Sequence, residues 1–575
     1  MGKKKDTAID KKEAATELAE INRQLEEINN MTKFVDAPMQ LWCGKWICDI
    51  TGVYKLLPSK SDPDQLVRVE ASHQQIMPTG IIENIESGEH KYMISFSIKR
   101  GGNYIWKSII IRPSICSTKS QIVNLANLGI SVTDQTAKAL IEYISDIFRF
   151  NEKIPVYKSV SHLGWINKSF FPYTTDIVVD GDNELSEIVQ IMSEHGSLDC
   201  WIKECTEFRK NLSVRLTMDA SFASVLINRL KCLSFVFYPW GGSNLGKSVS
   251  TMVSCSVWGD PDKFWISGSS TMNAIVKKAA LLGDLPCFID EMQLYKGDPE
   301  TLVYALAEGK EKSKLNRDSS YKKAGTWRSI SIINGERPLT SDNSGAGAIN
   351  RVIDIEVDRP LFEDYPKTLD CIRENYGHAG RMFIEYTKEI PDKQLIDQHR
   401  NIISQINAIS DSTGKQVQSL ALLLLADKLL HECIFRNEEP IEVSDVVCLL
   451  KRGKDVSDSE RAYLFVIELI AKNQNRFITT EENRGEIWGK IDSKFAFINK
   501  TVLSDQLSTS KYSFDAVKKE WAAKGYLIKD RDGKYTHKTS IGNADTIARY
   551  VKLKLMDEDS VFTPISEKQF KLPFE

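Results

Sequence analysis

No apolar run in this 575-residue chain approaches the ~18 residues that span a bilayer, and its first residues hold no secretory apolar core; neither a membrane partner nor export is expected. Neither sign of charge prevails. Lys and Arg number 75 against 78 Asp and Glu, a formal net charge of -3, and the pI is near 6.3. That balance excludes a protein that coats nucleic acid by overall basicity, so any contact with phosphates has to come from local clusters. Cysteine pairs at metal-ligand spacing are missing as well. The 11 cysteines are scattered from Cys43 to Cys448, and neither Cys43/Cys48 nor Cys200/Cys205 has a second pair to complete a zinc site. An odd, scattered set suits a reducing compartment, and a soluble cytoplasmic protein is expected.

With 42% hydrophobic and 27% charged residues, the chain is globular and long enough for several domains. Residues 1–32 carry one helical stripe, Ala14, Leu18, Ile21, Leu25 and Ile28, too short for a lasting coiled coil on its own. Residues 33–160 predict an antiparallel β-rich domain: strands over 42–54, 92–98 and 104–111, with Gly101-Gly102-Asn103 as a turn, and a helix over 134–150. A further strand pair is expected around Gly164 to Tyr173. Residues 161–395 alternate short apolar runs (233–238, 264–267, 285–289, 329–333, 352–357) with helical stretches, the pattern of a largely parallel sheet covered on both faces. Residues 396–455 read as helical. Residues 456–575 read helix, helix, then a hairpin over 526–538 turning at Asp530-Arg531-Asp532-Gly533, the order of a winged helix.

Chemistry concentrates in the central segment. Gly241-Gly242-Ser243-Asn244-Leu245-Gly246-Lys247-Ser248 fits G-x-x-x-x-G-K-[ST] between an apolar strand and a helical run. Glycines let backbone N–H groups wrap phosphates at a helix N-terminus; Lys247 is placed for the β/γ-phosphates of ATP, and the Ser248 hydroxyl for Mg²⁺. Some forty residues on, the apolar strand 285–289 ends in Asp290 and Glu291. Read alone, such a pair is either surface charge or a catalytic strand end; after a glycine loop at this spacing, Asp290 is expected as the second Mg²⁺ ligand and Glu291 as the residue that polarises the attacking water. The next strand, 329–333, ends in Asn334-Gly335-Glu336. Asn334 reads either as a sensor of the γ-phosphate or as a turn former. Arg351, just before strand 352–357, reads either as a finger reaching a neighbouring subunit's ATP or as a structural ion pair.

Between strands 285–289 and 329–333 lies a basic insertion with Lys310, Lys312, Lys314, Arg317, Lys322 and Lys323 around Asp318-Ser319-Ser320. Read as a hairpin it tracks a phosphate backbone; read plainly it is a solvated charged loop. In the tail, Lys518, Lys519 and Lys524 on a helix, with Arg531 and Lys534 on the wing, suit DNA or a protein partner.

The glycine loop, Trp258-Gly259-Asp260-Pro261, Ile289-Asp290-Glu291, Leu306-Ala307-Glu308-Gly309-Lys310, Trp327-Arg328 and Asn334-Gly335-Glu336 together resemble a family long catalogued as a domain of unknown function. It includes the MCM-like replication helicases of staphylococcal pathogenicity islands and chromosomal cassettes, of Rep and Cch type. The likeness runs roughly over residues 44–386. It implies an AAA+ P-loop ATPase core that forms homo-hexamers around single-stranded DNA, unwinds forked DNA, and loads itself at origin DNA through the C-terminal domain. In that reading the basic insertion looks like the hairpin that grips DNA, Arg351 like the trans finger, and Arg381, opening a helix after Gly377-His378-Ala379-Gly380, like the second sensor at the nucleotide. Two other classes fit the nucleotide motifs: an ATP-switched initiator or loader, relying on the tail alone, and a protein remodeller, which would prefer an aromatic-apolar loop to this polycationic one.

Overall fold

The computed structural model describes residues 30–59, 61–312, 314–315, 321–322, 324–341, 344–478, 486–541 and 547–555. The amphipathic stripe of residues 14–28 lies outside the described residues. The chain divides into two compact units, Met1–Ile191 and Met192–Glu575. Strand Ile177–Val179, beyond residue 160, belongs to the first unit's sheet.

That sheet runs in the order Ile177–Val179, Val156–Val160, Ile76–Asn84, His90–Arg100, Asn103–Ile111. The last three strands are antiparallel, and Gly101 and Gly102 make the expected turn at positive φ. The module is nevertheless mixed, which corrects the antiparallel expectation. Helix Ala137–Phe150 carries the chain back across the sheet, so Val156–Val160 lies parallel to Ile76–Asn84 and Ile177–Val179 parallel to that. On the inner stripe of this helix Leu140, Tyr143, Ile144 and Ile147 recur at helical spacing in the core. A smaller antiparallel sheet joins Ile47–Asp49, Gly52–Pro58 and Leu66–Ser72. The expected pair after residue 160 is present as Gly164–Ile166 against Ser169–Phe171.

The second unit is built on a parallel sheet in the order Ile266–Ser267, Cys287–Asp290, Ile330–Ile333, Phe235–Gly241, Val352–Val357. Its central strands are apolar without alternation because both faces are covered: Ile330–Ile333 is buried at every position. Leu212–Ala223 and Lys247–Cys255 are among the helices packed on it. Helices Tyr365–Glu374, His378–Lys388, Asp392–Ile409 and Gly414–Cys433 follow. The last is buried on nearly all sides. Its one buried carboxylate, Asp427, accepts from Arg209 and Arg215 of the core.

Residues beyond 456 form helices Asp458–Lys472, Lys500–Thr509 and Phe514–Ala523 around Tyr463, Phe514 and Trp521. The tail hairpin needs correction. The turn exists, with Gly533 N–H donating to the Asp530 carbonyl, but Leu527–Ile528 and His537–Thr539 do not pair with each other. Each pairs with Ala548–Lys554, a strand far enough along the chain that no local signal announced the pairing. No helix among the described residues is long and apolar enough to cross a membrane.

Candidate nucleotide site

Strand Phe235–Gly241 feeds the glycine loop into helix Lys247–Cys255. Two of the glycines are required. A Cβ on Gly241 would sit 2.1 Å from the Val357 carbonyl of the neighbouring strand; Gly246 has φ +90°, and its Cβ would lie 2.5 Å from the Tyr365 ring. Asn244 takes the left-handed conformation, which Asn tolerates. The N–H groups that open a helix have no intrahelical partner, so this loop presents donors to an anion.

Side chains from the neighbouring strand ends converge on the loop. Ser248 Oγ donates to Asp290 Oδ1 at 2.8 Å. Asn334 Nδ2 donates to the same oxygen at 2.5 Å and to Thr251 Oγ1 at 2.9 Å, while its Oδ1 accepts the Glu291 N–H at 3.1 Å. Lys247 Nζ donates to the Gly242 carbonyl at 2.6 Å. Burial pulls the Lys247 ammonium below its ordinary pKa, opposed by the Glu336 and Asp290 carboxylates. Ser243 Oγ hydrogen-bonds Glu336 Oε1 across the loop. Ser243, Lys247, Ser248, Glu291, Asn334 and Glu336 border one cavity of about 370 Å³.

Glu291 is exposed in that cavity and held at φ +61°. For a residue with a Cβ this conformation costs roughly 1–2 kcal/mol, and such strain gathers at functional positions. Neighbouring backbone bonds hold it: Met292 N–H donates to the Asn334 carbonyl at 2.9 Å and Asn334 N–H to that of Ile289 at 3.2 Å.

Among the described residues no group of three or more His, Cys, Asp or Glu side chains could hold a metal. Mg²⁺ does not need one, since it binds through one or two protein oxygens plus phosphates and water, and the Ser248–Asp290 pair is a hard oxygen set of that size.

The remaining expected site residues lie elsewhere. Arg351 does not border the cavity; its Nη1 donates to the Gly347 carbonyl at 2.5 Å and its guanidinium lies 4.9 Å from the Tyr304 ring. Arg351 makes no ion pair among the described residues. Arg381 is also outside the cavity lining, donating to Glu385 at 3.1 Å and Glu194 at 3.4 Å. The basic insertion is a hairpin: Lys310 bridges Thr326, and Lys314–Leu315 pairs with Tyr321–Lys322. Lys312 is exposed at its base; Arg317 and Lys323 lie outside the described residues. In the tail, Lys518 pairs with Asp515, and Lys519 and Arg531 are exposed.

Sequence reasoning missed Thr251, Glu336, Gln293 and Tyr365. Thr251 stands one helical turn after Lys247, and Glu336 closes the Asn334-Gly335-Glu336 run; both positions carried a spatial signal. Gln293 and Tyr365 carried none.

A parallel α/β sheet with a glycine loop and strand-end carboxylates, joined to a small helical and β-stranded tail domain, sets the class of protein. Likeness to known proteins makes it more particular. Residues 47–326 match the family described as a domain of unknown function, DUF927, and residues 457–558 match the Cch helix turn helix domain. A solved structure described as SCCmec type IV Cch, active helicase, superposes with a TM-score of 0.64, covering 89% of this chain and 97% of that one at 17% identity. A second, the A form apo structure of the NrS-1 C terminal region, covers 71% of this chain and 94% of its own at 12% identity, with a TM-score of 0.25. No curated protein matches. The fold is therefore similar to that of the Cch structure, and the tail is similar to the Cch helix turn helix domain, within the Rep and Cch resemblance that the motifs implied.

Proposed function

We propose that this chain is an AAA+ ATPase that works as a hexameric replicative DNA helicase of a mobile genetic element, moving on single-stranded DNA and loading itself at an origin. The observation that carries the reading is the convergence of Ser248, Asp290 and Asn334 beside the Gly241–Ser248 loop at the carboxyl edge of the parallel sheet. The loop N–H groups and Lys247 bind the phosphates of ATP. Ser248 and Asp290 would hold Mg²⁺, which would supply positive charge against the phosphates. Glu291 orients the attacking water, and Asn334 keeps Glu291 and Asp290 in register. Arg351, remote from its own subunit's cavity, serves the site of the next subunit, so hydrolysis opens and closes subunit interfaces; head-to-tail contacts of this kind close into rings.

The hairpin at residues 310–326 supplies positive charge for a phosphate backbone, and binding there is expected to be salt-sensitive and sequence-tolerant. The tail, with its match to the Cch helix turn helix domain, favours a role for Lys518, Lys519 and Arg531 in origin choice. That same match supports the second reading, an ATP-switched initiator that binds origin DNA without unwinding it. Strand displacement on forked DNA, with ATP, separates the two. Unwinding by the wild type and none by Glu291→Gln is the expected result; ATP hydrolysis without unwinding on forks of either tail polarity would replace the helicase by the switch.

A further inference from the structure

The loop that leads into Arg351 is held from another domain. Arg461, on the first helix of the C-terminal domain, donates through Nη1 to the Ser344 carbonyl at 2.5 Å. Asp458, at the start of that helix, accepts the Ala346 N–H at 3.2 Å and receives Arg461 Nη2 at 2.5 Å. The Arg461 side chain is only 9% exposed, so this is a built contact and not a surface encounter. Glu300 makes a second bridge: its Oε1 accepts the Gly345 N–H at 3.0 Å and its Oε2 lies 3.4 Å from Lys511 Nζ of the C-terminal domain.

From Ala346 the geometry passes to the guanidinium in one turn. Gly347 lies in the short helix Ala346–Ile349, and its carbonyl accepts Arg351 Nη1. There is no slack in the packing. A Cβ on Gly347 would lie 2.5 Å from Tyr304 Oη and 3.1 Å from Arg351 Nη1, and one on Gly345 would lie 3.0 Å from Glu300 Oε1. A backbone clamped at Ser344 and Ala346 therefore fixes the carbonyl on which Arg351 rests.

We infer that Asp458 and Arg461 are positioning residues for Arg351, so that the C-terminal domain of each subunit sets the finger that the subunit offers to its neighbour. The inference rests on the reading of Arg351 as a trans finger. It makes the C-terminal domain part of the turnover machinery as well as a candidate DNA-binding module, since any ligand that shifts the start of helix Asp458–Lys472 shifts the finger.

The test is steady-state ATP turnover by the full chain carrying Arg461→Met, Arg461→Lys or Asp458→Ala, beside Arg351→Ala and Lys247→Ala. Misplacing a catalytic group by about 1 Å costs up to about 10²-fold. Arg461→Met and Asp458→Ala are expected to lower kcat by about 10- to 100-fold with KM for ATP unchanged, and Arg461→Lys, which keeps one donor, to recover part of the loss. Asp458 is half-exposed, so its variant keeps the test open if Arg461→Met fails to fold. Mixing Asp458→Ala with Lys247→Ala protein is expected to restore turnover, because the first keeps a sound nucleotide loop and the second a sound finger. Wild-type kcat in the clamp variants while Arg351→Ala is inactive, or a loss that mixing does not recover, would overturn the inference and leave the finger reading intact. Wild-type turnover by Arg351→Ala would overturn the finger reading and the inference together.

Discussion

Asn334 fastens Asp290 and Glu291 into one unit: its Nδ2 lies 2.5 Å from Asp290 Oδ1, and its Oδ1 accepts the N–H of Glu291 at 3.1 Å. The asparagine is 2% exposed and both contacts come from a single planar amide. A shift of the amide by one partner is therefore felt by the other, and the left-handed backbone of Glu291 is held by the residue that touches the candidate Mg²⁺ ligand.

Asn334→Ala is expected to lower kcat for ATP hydrolysis by about 10²- to 10³-fold, the size of losing one preorganised donor. Nucleotide affinity is expected to change only a few-fold, since the loop N–H groups and Lys247 remain. Turnover measured beside titration with a fluorescent ATP analogue checks this. A parallel collapse of affinity would mean that Asn334 shapes the phosphate loop and not the hydrolytic step.

Much of this site was legible in the sequence because its parts sit at strand ends, and strand ends are announced locally. The run 352–357 is a strand to the residue, and 285–289 and 329–333 foretell Cys287–Asp290 and Ile330–Ile333. Once those strands lie side by side and parallel, Asp290 and Asn334 must meet Ser248. What stayed hidden depends on partners distant along the chain. Val156–Val160 joins Ile76–Asn84 only after a helical crossover, and Leu527–Ile528 and His537–Thr539 each form their ladder with Ala548–Lys554 and not with each other. The clamp of Arg461 on Ser344 crosses 117 positions and leaves no periodic trace.

The basic hairpin makes a separable prediction. Lys322→Ala with Lys323→Ala is expected to leave DNA-free ATPase as in the wild type and to remove its stimulation by single-stranded DNA. The dependence of DNA affinity on salt should flatten too, by about 0.7 in log–log slope for each single-strand phosphate that the hairpin no longer neutralises. ATPase with and without an oligonucleotide, and binding titrated across about 50 to 200 mM salt, would show it. Retained stimulation with an unchanged slope would return the hairpin to a solvated charged loop.

The last prediction concerns stability and proton binding. Arg209 is buried with Asp219 at 2.7 Å, Asp427 at 2.9 Å and Glu438 at 2.9 Å, and Arg215 reaches Asp427 at 2.7 Å. Three carboxylates thus face two guanidiniums, and a proton on one of them neutralises the cluster. Asp219 is the one the geometry selects, because it is fully buried and its Oδ2 has no hydrogen-bond partner among the described residues. Burial pushes its pKa from 3.8 up to about 8, against the pull of Arg209. Between about pH 4 and pH 8 the folded chain then holds a proton that the unfolded chain has released, so stability attributable to this group falls as pH rises through that window. Asp219→Asn, which cannot ionise, removes the slope. Its Tm relative to the wild type is expected to rise from pH 5 to pH 8, read by thermal unfolding at each pH. A pH-independent difference would mean that Asp219 stays ionised in the folded chain. Arg209→Met, by contrast, strands buried carboxylates and is expected to cost about 3–5 kcal/mol near neutral pH.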